Sequence, residues 1–362
     1  MSKGRVLMAM SGGIDSTMAS LILHDEGYEV IGLTMKTWDY ENSGGSKKET
    51  GCCSLDSIND ARIVAVDCGF PHTILDIRDE FSDFIINNFI DEYIEGRTPN
   101  PCVLCNTHIK WEALLKRADM LSCQYIATGH YAQIRKENSR YVVSKGLDEG
   151  KDQSYVLWGV KQECLERTIF PMGKFHKKDI RQMAIDRGYK ELAEKNESYE
   201  ICFIPDNDYR GFLKRKVKGL EEKVIGGRFV STSGKFLGTH DGYPFYTIGQ
   251  RKLGLSLGSE PRYVIGIEPD SNTVVVGTKE DLKKQEMFIR DLNFVKYSSI
   301  HDGMQYLVKV RYKHKGEMAT IMCEGDNLRV LFHNKVSGIA PGQSAVIYEG
   351  DDLIAGGFIM KR

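Results

Sequence analysis

The chain is 362 residues long, more than one ordinary domain, so two or three domains are expected. Hydrophobic residues at 41% and charged residues at 27% are the proportions of a chain that buries a core, which excludes a disordered or fibrous protein. A formal net charge of −1 excludes a globally basic nucleic-acid binder and leaves only a local patch for that purpose.

The first apolar run is short and leads straight into a Gly-rich turn, so no signal peptide is expected. No apolar run approaches the ~18 residues of a membrane span, and no membrane partner is expected. Nine cysteines, an odd number in a long chain without a secretion signal, are expected as reduced thiols in a cytoplasm.

In chain order, Val6–Met10 reads as a buried strand that breaks into Ser11-Gly12-Gly13-Ile14-Asp15-Ser16. Apolar residues return at helical spacing at Ile14, Met18, Leu21 and Ile22. Strand, Gly-rich turn and helix is the setting in which backbone N–H groups and a helix N-terminus face an anion. Two glycines let the backbone approach a phosphate, Ser11 and Ser16 add hydroxyls, and Asp15 could hold the Mg²⁺ that accompanies a nucleotide. The loop is neither a Walker A nor a Rossmann fingerprint. Ser-Gly-Gly-x-Asp-Ser resembles the pyrophosphate loop of the N-type ATP pyrophosphatases, which split ATP between its α and β phosphates. The alternative is a βα turn without a ligand.

Glu29–Met35, His72–Ile77 and Tyr125–Gly129 read as further strands, with helical patterns at Ile58–Cys68, Phe81–Tyr93 and Ile109–Met120. This alternation predicts a doubly wound α/β sheet whose ligands sit at the carboxyl ends of the strands, where the opening loop, Met35, Gly129 and His130 fall. Asn42–Thr50 is a polar loop, either a surface connection or a lid. Asp179–Arg187 and the basic Asp208–Val217 look helical. Gly-rich strand-and-turn segments then run to Gly277, and short alternating strands from about Glu280 onward predict a small β-barrel. Lys309-Val310-Arg311-Tyr312-Lys313-His314-Lys315, if a strand, lines four cations on one face at period two, a track for RNA phosphates or a merely solvated face.

Thr98-Pro99-Asn100-Pro101-Cys102-Val103-Leu104-Cys105-Asn106 is the second informative stretch. The helical pattern after it puts Cys105 near a helix N-terminus, where thiolate is favoured. Cys-x-x-Cys can be a zinc half-site, a redox pair, a cluster half-site or a nucleophile with a helper. Zinc would need His108 and one of Cys52 or Cys53 as well. Cys202, within Ile201-Cys202-Phe203-Ile204, reads by itself as a buried core thiol. Cys68, Cys123, Cys164 and Cys323 carry no assigned chemistry.

SGGIDS, TPNPCVLCN, TGHYA, KDQSY, ICFIP and YTIGQRKLGL occur in one order along nearly the whole chain. This pattern resembles the bacterial tRNA-specific 2-thiouridylases, which place sulfur on C2 of the wobble uridine (position 34) of certain tRNAs. The resemblance implies an N-type ATP pyrophosphatase domain (1–205), a central adaptor domain (206–279) and a C-terminal tRNA-binding β-barrel (280–362). It implies ATP contacts at Ala9, Met10, Ser11, Gly12, Gly13, Ile14, Asp15, Ser16, Met35 and Gly129. Cys105 matches the nucleophile, and Cys202 the cysteine that carries persulfide and pairs transiently with Cys105 in a disulfide. Asn100, Pro101 and Cys102 match the segment that touches the target base. His130, Lys151, Asp152, Gln153, Arg311, Tyr312 and Gln343 match positions that meet tRNA.

The implied reaction uses ATP, with Mg²⁺, to adenylate the C2 oxygen, releasing pyrophosphate. The implied partners are the tRNA anticodon stem-loop, not DNA, and a sulfur-donor or relay protein. Two rivals stand beside it: another adenylating enzyme, such as an amide-forming ligase or a thiolase acting elsewhere on tRNA, and a non-enzymatic RNA-binding module with a vestigial nucleotide site. One departure matters, because many members carry Asp where this chain has Cys102, which leaves the acid/base role unassigned. Cys102, Cys105 and Cys202 could instead hold a [4Fe–4S] cluster with one iron open. The two-cysteine persulfide route is preferred because it needs no extra cofactor.

Overall fold

In the computed structural model the described residues are 2–38, 55–195, 201–254 and 260–361. Asn42–Thr50, Cys52, Cys53 and Leu255 lie outside them. The chain divides into two compact units: residues 1–85, 102–207 and 351–353, and residues 86–101, 208–350 and 354–362.

The strands of the first unit are β1 (Arg5–Ala9), β2 (Glu29–Lys36), β3 (His72–Asp76), β4 (Tyr125–Ala127), β5 (Ala132–Glu137), β6 (Arg140–Lys145) and β7 (Thr168–Ile169). Five of them form one parallel sheet in the order β3-β2-β1-β4-β7, the predicted doubly wound layout. Central β1 is covered on both faces, which is why Val6, Leu7 and Met8 form an unbroken apolar run, all at 0% exposure. The chain winds outward through β2 and β3, then returns to the other side of β1 at β4. The switch point is therefore the carboxyl end of β1. Helix α1 (Ile14–Asp25) buries Ile14, Met18, Leu21 and Ile22, the four residues its periodicity selects. Each such side chain contributes about 1.5–3 kcal/mol.

Several elements exceed their sequence patterns. Helix α2 (Leu55–Cys68) starts three residues before the patterned Ile58. The pattern at Phe81–Tyr93 is part of a helical run of Arg78–Phe81, a π-helical Ser82–Ile86 and Asn87–Ile94. The hairpin β5–β6 and the two-residue β7 had no distinct signal, being short and polar or bounded by irregular chain. Asp352, at the start of the last strand, pairs with Ser144 of β6.

The second unit holds a four-stranded sheet and a barrel. The sheet comprises β8 (Gly227–Ser231), β9 (Phe236–His240), β10 (Tyr263–Glu268) and β11 (Thr273–Gly277) in the order β10-β11-β8-β9. The barrel strands are β12 (Lys283–Phe294), β13 (Gln305–Lys309), β14 (Glu317–Glu324), β15 (Asn327–Ser337), β16 (Ser344–Glu349) and β17 (Asp352–Ile359). Their order is β12-β15-β14-β13-β16-β17, and pairing of β12 with β17 closes the barrel around Val308, Ile321, Val330, Phe332 and Ile347.

The segment 86–101 belongs to this second unit through aromatic packing. Tyr93 stacks on Tyr209 at 4.7 Å, Phe89 meets Phe212 edge-on at 5.9 Å, and the Tyr243 hydroxyl donates to the Ile94 carbonyl at 2.6 Å. Asp208 caps the basic helix Tyr209–Lys216 by accepting from the Gly211 N–H at 2.9 Å.

One expectation is corrected here. Lys309–Lys315 is not a strand: β13 stops at Lys309, and β14 begins only at Glu317. The His314 N–H turns back to the Arg311 carbonyl at 3.0 Å, and Gly316 takes φ +99°, a left-handed backbone that suits glycine. The four cations therefore do not share one strand face.

Candidate active site

The Ser11–Ser16 loop sits at the carboxyl end of β1 and opens α1. Gly13 is the N-cap residue, with no side-chain cap bond, so the first-turn N–H groups are left for another acceptor. The two glycines differ in what demands them. Gly12 has φ +69°, and a Cβ there would lie 2.0 Å from the Ser57 carbonyl oxygen of α2. Gly13 has φ −91°, which any residue adopts, and a Cβ would meet only Ser11 Oγ at 3.6 Å. The protein itself does not require glycine at 13. Glycine at 13 leaves that backbone open to close approach by a ligand.

Ser16 tightens the loop: its hydroxyl donates to the Gly13 carbonyl at 3.0 Å and accepts from the Ser11 N–H at 3.0 Å. Its Oγ also lies 3.2 Å from Ser11 Oγ. Met35 is the next-to-last residue of β2 and Gly129 follows β4, so both fall at the carboxyl ends of the strands that flank β1. Ala9 ends β1, and the Met10 N–H donates to the Leu33 carbonyl at 2.8 Å, extending the pairing into the loop. At Gly129 a Cβ would lie 2.9 Å from the Ser16 nitrogen, so glycine lets the chain after β4 press against the first turn of α1.

Asp15 is held by two residues that sequence reasoning left without a role. Lys177 Nζ lies 2.7 Å from both Asp15 carboxylate oxygens, and the Tyr131 hydroxyl donates to Oδ1 at 2.7 Å. Lys177 is only 5% exposed, and its ammonium sits 5.9 Å from the Tyr131 ring centre. A buried ammonium needs such a counter-charge. The signal was present: Lys177, Ile180 and Ala184 form the buried stripe of the helix Lys177–Asp186, and a lysine on an apolar stripe is anomalous.

The cysteine motif occupies a helical run of Pro101–Leu104, a π-helical Cys105–Lys110, and Trp111–Met120. Proline suits the first helical position because its missing N–H is not needed there. The helix thus begins four residues before Cys105. Cys102, not Cys105, is the thiol in the first turn, which corrects the expected placement. The π segment is backed by the chain at Gly159, where a Cβ would lie 2.0 Å from Thr107 Oγ1. Its Asn106 side chain donates to the Val156 carbonyl at 2.9 Å. Single π turns recur at functional sites because they re-aim side chains.

Cys105 is buried and Cys102 exposed. The Cys102 thiol is nonetheless crowded by protein, and this desolvation raises its pKa while the Lys110 ammonium pulls it back. His130 shares the same cation. Burial, then Lys110, lowers its pKa to about 3, so the ring is neutral, 2.8 Å from Thr128 Oγ1 and 5.7 Å from the Trp111 ring centre.

Cys202 is half-buried, in a turn closed by the Ile204 N–H on the Ile201 carbonyl at 2.8 Å. It is not the core thiol that its apolar neighbours suggest; Phe203 and Ile204 take the core positions instead. Phe203 meets Phe81 edge-on at 5.8 Å, and the segment Arg78–Phe81 also packs against the π-helix that begins with Cys105. Both cysteine-bearing elements therefore border the same short segment.

Among the described residues, no group of three or more His, Cys, Asp or Glu side chains converges as a metal site. Cys102, Cys105 and Cys202 do not fit a cluster in this arrangement, with one exposed and another buried three residues away. The zinc reading fails likewise for Cys102, Cys105 and His108, and its fourth ligand lies outside the described residues.

The other predicted contacts fall in both units. In the first, Asp152 is buried and accepts from the Gly146 N–H, the Ser154 N–H and the Ser154 hydroxyl at 3.0–3.2 Å. Gln153 exchanges two hydrogen bonds with the Tyr131 backbone, and Lys151 is half-buried beside it. In the second, Tyr312 is exposed, Arg311 donates to the Ser337 carbonyl at 2.9 Å, and Gln343 bonds the chain before Asn100 and Pro101.

Comparison with known proteins agrees with this layout. Family models match in succession: a tRNA methyl transferase HUP domain at residues 4–206, a tRNA methyl transferase PRC-barrel domain at 210–278, and an aminomethyltransferase beta-barrel domain at 284–359. The tRNA-specific 2-thiouridylase MnmA of Cytophaga hutchinsonii is 62% identical over 359 residues, covering 99% of this chain and 97% of that one. Its namesake in Amoebophilus asiaticus is 62% identical over 361 residues, covering 99% and 96%. That of Salinibacter ruber is 55% identical over 362 residues, covering 99% and 94%. With nearly the whole length of both chains matched at such identity, and with a Gly-rich loop and a two-cysteine motif on one α/β unit, the chain belongs to the tRNA-specific 2-thiouridylase family.

Proposed function

We propose that this protein is an ATP-dependent tRNA-uridine 2-sulfurtransferase acting on the wobble uridine. The observation that carries the proposal is the joint presence of a Gly-rich loop at a helix N-terminus, with a glycine at 13 that the surrounding side chains and backbone do not demand, and thiols at both Cys105 and Cys202. An amide-forming ligase would use the loop but has no need of two thiols.

The C2 oxygen of uridine is a poor leaving group. Transfer of AMP from ATP to that oxygen releases pyrophosphate and makes the oxygen depart as AMP. The first-turn N–H groups of α1 and the Ser11 and Ser16 hydroxyls would bind the phosphates, with Met35 and Gly129 beside the nucleotide. Mg²⁺ would supply charge neutralisation at the phosphates, and Asp15 would hold it. For that, Lys177 would release Asp15, which frees its ammonium for a phosphate oxygen.

Cys202 would receive sulfur from a donor or relay protein as a persulfide. The terminal sulfur attacks C2 and AMP leaves. The Cys105 thiolate then attacks the Cys202 sulfur, leaving the thiocarbonyl on the base and a Cys105–Cys202 disulfide. A thiol reductant restores both cysteines. Release of hydrosulfide by Cys105 before attack on C2 has the same balance. A cytoplasmic setting, where thiols are kept reduced, suits this cycle.

Asn100, Pro101 and Cys102 would border the base, splayed from the anticodon loop. His130, Lys151, Asp152, Gln153, Arg311, Tyr312 and Gln343 would meet the tRNA. Functional boundaries at 205 and 279 would separate the ATP, adaptor and barrel domains. The test is nucleoside mass spectrometry of tRNA incubated with ATP, Mg²⁺ and a persulfide donor. Wild type should form 2-thiouridine, and Cys202→Ser should release pyrophosphate in the presence of tRNA yet transfer no sulfur. Full sulfur transfer by Cys202→Ser would refute the persulfide role.

A further inference from the structure

The segment 97–100 is tied to a turn of the barrel more than 240 residues later in the chain. The Thr98 N–H donates to the Pro341 carbonyl at 2.8 Å. Gln343 Nε2 donates to the Pro99 carbonyl at 2.7 Å and reaches the Thr98 carbonyl at 3.3 Å. Asn100 Nδ2 donates to Ser344 Oγ at 3.1 Å, with Asn100 9% and Ser344 0% exposed. At the start of the segment, Arg97 forms a fork with the buried Glu92 carboxylate at 2.8 and 2.6 Å.

The turn is itself built for close approach. Gly342 has φ +87°, and a Cβ there would lie 2.5 Å from Glu92 Oε2 and 2.8 Å from the Thr98 carbonyl oxygen. Its N–H bonds the Ile359 carbonyl at 2.9 Å, and the Ile359 N–H bonds the Gln343 carbonyl at 2.8 Å, so the turn is fixed to the last barrel strand. The two side chains that face the segment thus stand on a rigid base.

We propose that Gln343 and Ser344 are positioning residues for the base-contact segment: the barrel turn holds residues 98–100 in register and so sets where the target base enters. This rests on the reading that Asn100–Cys102 touches the base. It assigns Gln343 a task within the protein, since its amide N–H groups are directed at the Thr98 and Pro99 carbonyls. It also makes the Asn100 side chain an anchor, leaving backbone and the residues after it to meet the base. A misplacement near 1 Å in such a segment is worth about 10²-fold in rate.

The experiment compares wild type with Ser344→Ala, Ser344→Thr, Gln343→Ala and the near-isosteric Gln343→Glu, which cannot donate to the two carbonyls. For each, the dissociation constant for tRNA and the single-turnover rate of 2-thiouridine formation at saturating tRNA are measured. The tRNA also carries 5-bromouridine at the target position, and its photocrosslinks are mapped. Expected are a tRNA affinity within about threefold of wild type for Ser344→Ala, and rates lowered about 10-fold for Ser344→Ala and about 100-fold for the Gln343 variants, whose rates are read at saturating tRNA so that loss of a tRNA contact by Gln343 does not enter them. Ser344→Thr should recover most of the rate. Ser344 is fully buried and cannot touch tRNA, so a rate loss there must act through the segment it holds. Wild-type rates in Ser344→Ala and Gln343→Glu would overturn the proposal, as would a Gln343 effect confined to tRNA affinity. If wild type crosslinks at residues 100–102 and the variants do so at unchanged rates, the positioning role fails while the base-contact reading stands. If wild type crosslinks elsewhere, the base-contact reading fails, and this inference with it.

Discussion

Gly13→Val separates ligand binding from folding more cleanly than any other change in the loop. The backbone at 13 is extended (φ −91°, ψ 159°), which valine adopts readily, and a Cβ would meet only Ser11 Oγ at 3.6 Å. The loss of a favourable N-cap residue costs about 1 kcal/mol. Reduced freedom of the unfolded chain returns about 0.4–1 kcal/mol. The net change is within about 1 kcal/mol, or about 2–4 °C in melting temperature for a unit of 150–250 residues. The catalytic loss is of another order. A side chain in the phosphate cradle removes backbone donors from the transferring group, and one such donor is worth about 10²–10³ in rate. Pyrophosphate release dependent on tRNA, followed by a coupled phosphate assay beside a thermal melt, measures both quantities on one sample. Gly12→Val is the contrast, because its Cβ would strike the Ser57 backbone at 2.0 Å and its φ is +69°; it should lose stability and activity together. A stable Gly13→Val protein that releases pyrophosphate at the wild-type rate would refute the loop assignment.

Three further outcomes are expected. Lys177→Met should lower the melting temperature and abolish pyrophosphate release, and the double variant with Asp15→Asn should be less destabilised than additivity predicts, by at least about 1 kcal/mol in a double-mutant cycle; strict additivity would show that the 2.7 Å pair is not coupled. The imidazoles of His130 and His240, lowered by burial to about 3 and about 4, should stay neutral in the folded protein down to pH 5. The unfolded chain protonates both at about 6.5, so stability should be full above that pH and fall as pH drops toward 4 and then 3; thermal melts and histidine NMR titrations between pH 8 and 5 check this, and a native-state inflection near 6.5 would contradict it. Replacing Arg311 and Lys313 with Ala should weaken tRNA binding and reduce the log–log salt slope by about one unit for each phosphate no longer neutralised, with ATP affinity unchanged; an unchanged slope would move the RNA to another surface.

What could be read from the sequence follows from local physics. Val6–Met10 and the 3.6-residue spacing of Ile14, Met18, Leu21 and Ile22 report burial directly, so strand, loop and first helix were legible, and with them the turn proposed to take the phosphates. The six ordered motifs carried the family because they are spread in one order from Ser11 to Leu255. What needed the tertiary structure was every contact between residues distant in the chain. Lys177 meets Asp15 across 162 positions, and Ser344 meets Asn100 across 244. No periodicity encodes such pairs, since they arise from packing of whole elements. The same cause explains the misread details. Cys202 has apolar neighbours yet only half-buries, because a turn sends Phe203 and Ile204 inward in its place. Lys309–Lys315 alternates like a strand, but strand pairing ends at Lys309 and the left-handed Gly316 reverses the chain. Local sequence sets which conformations are cheap; the partners that a segment finds in the folded chain decide which of them it keeps.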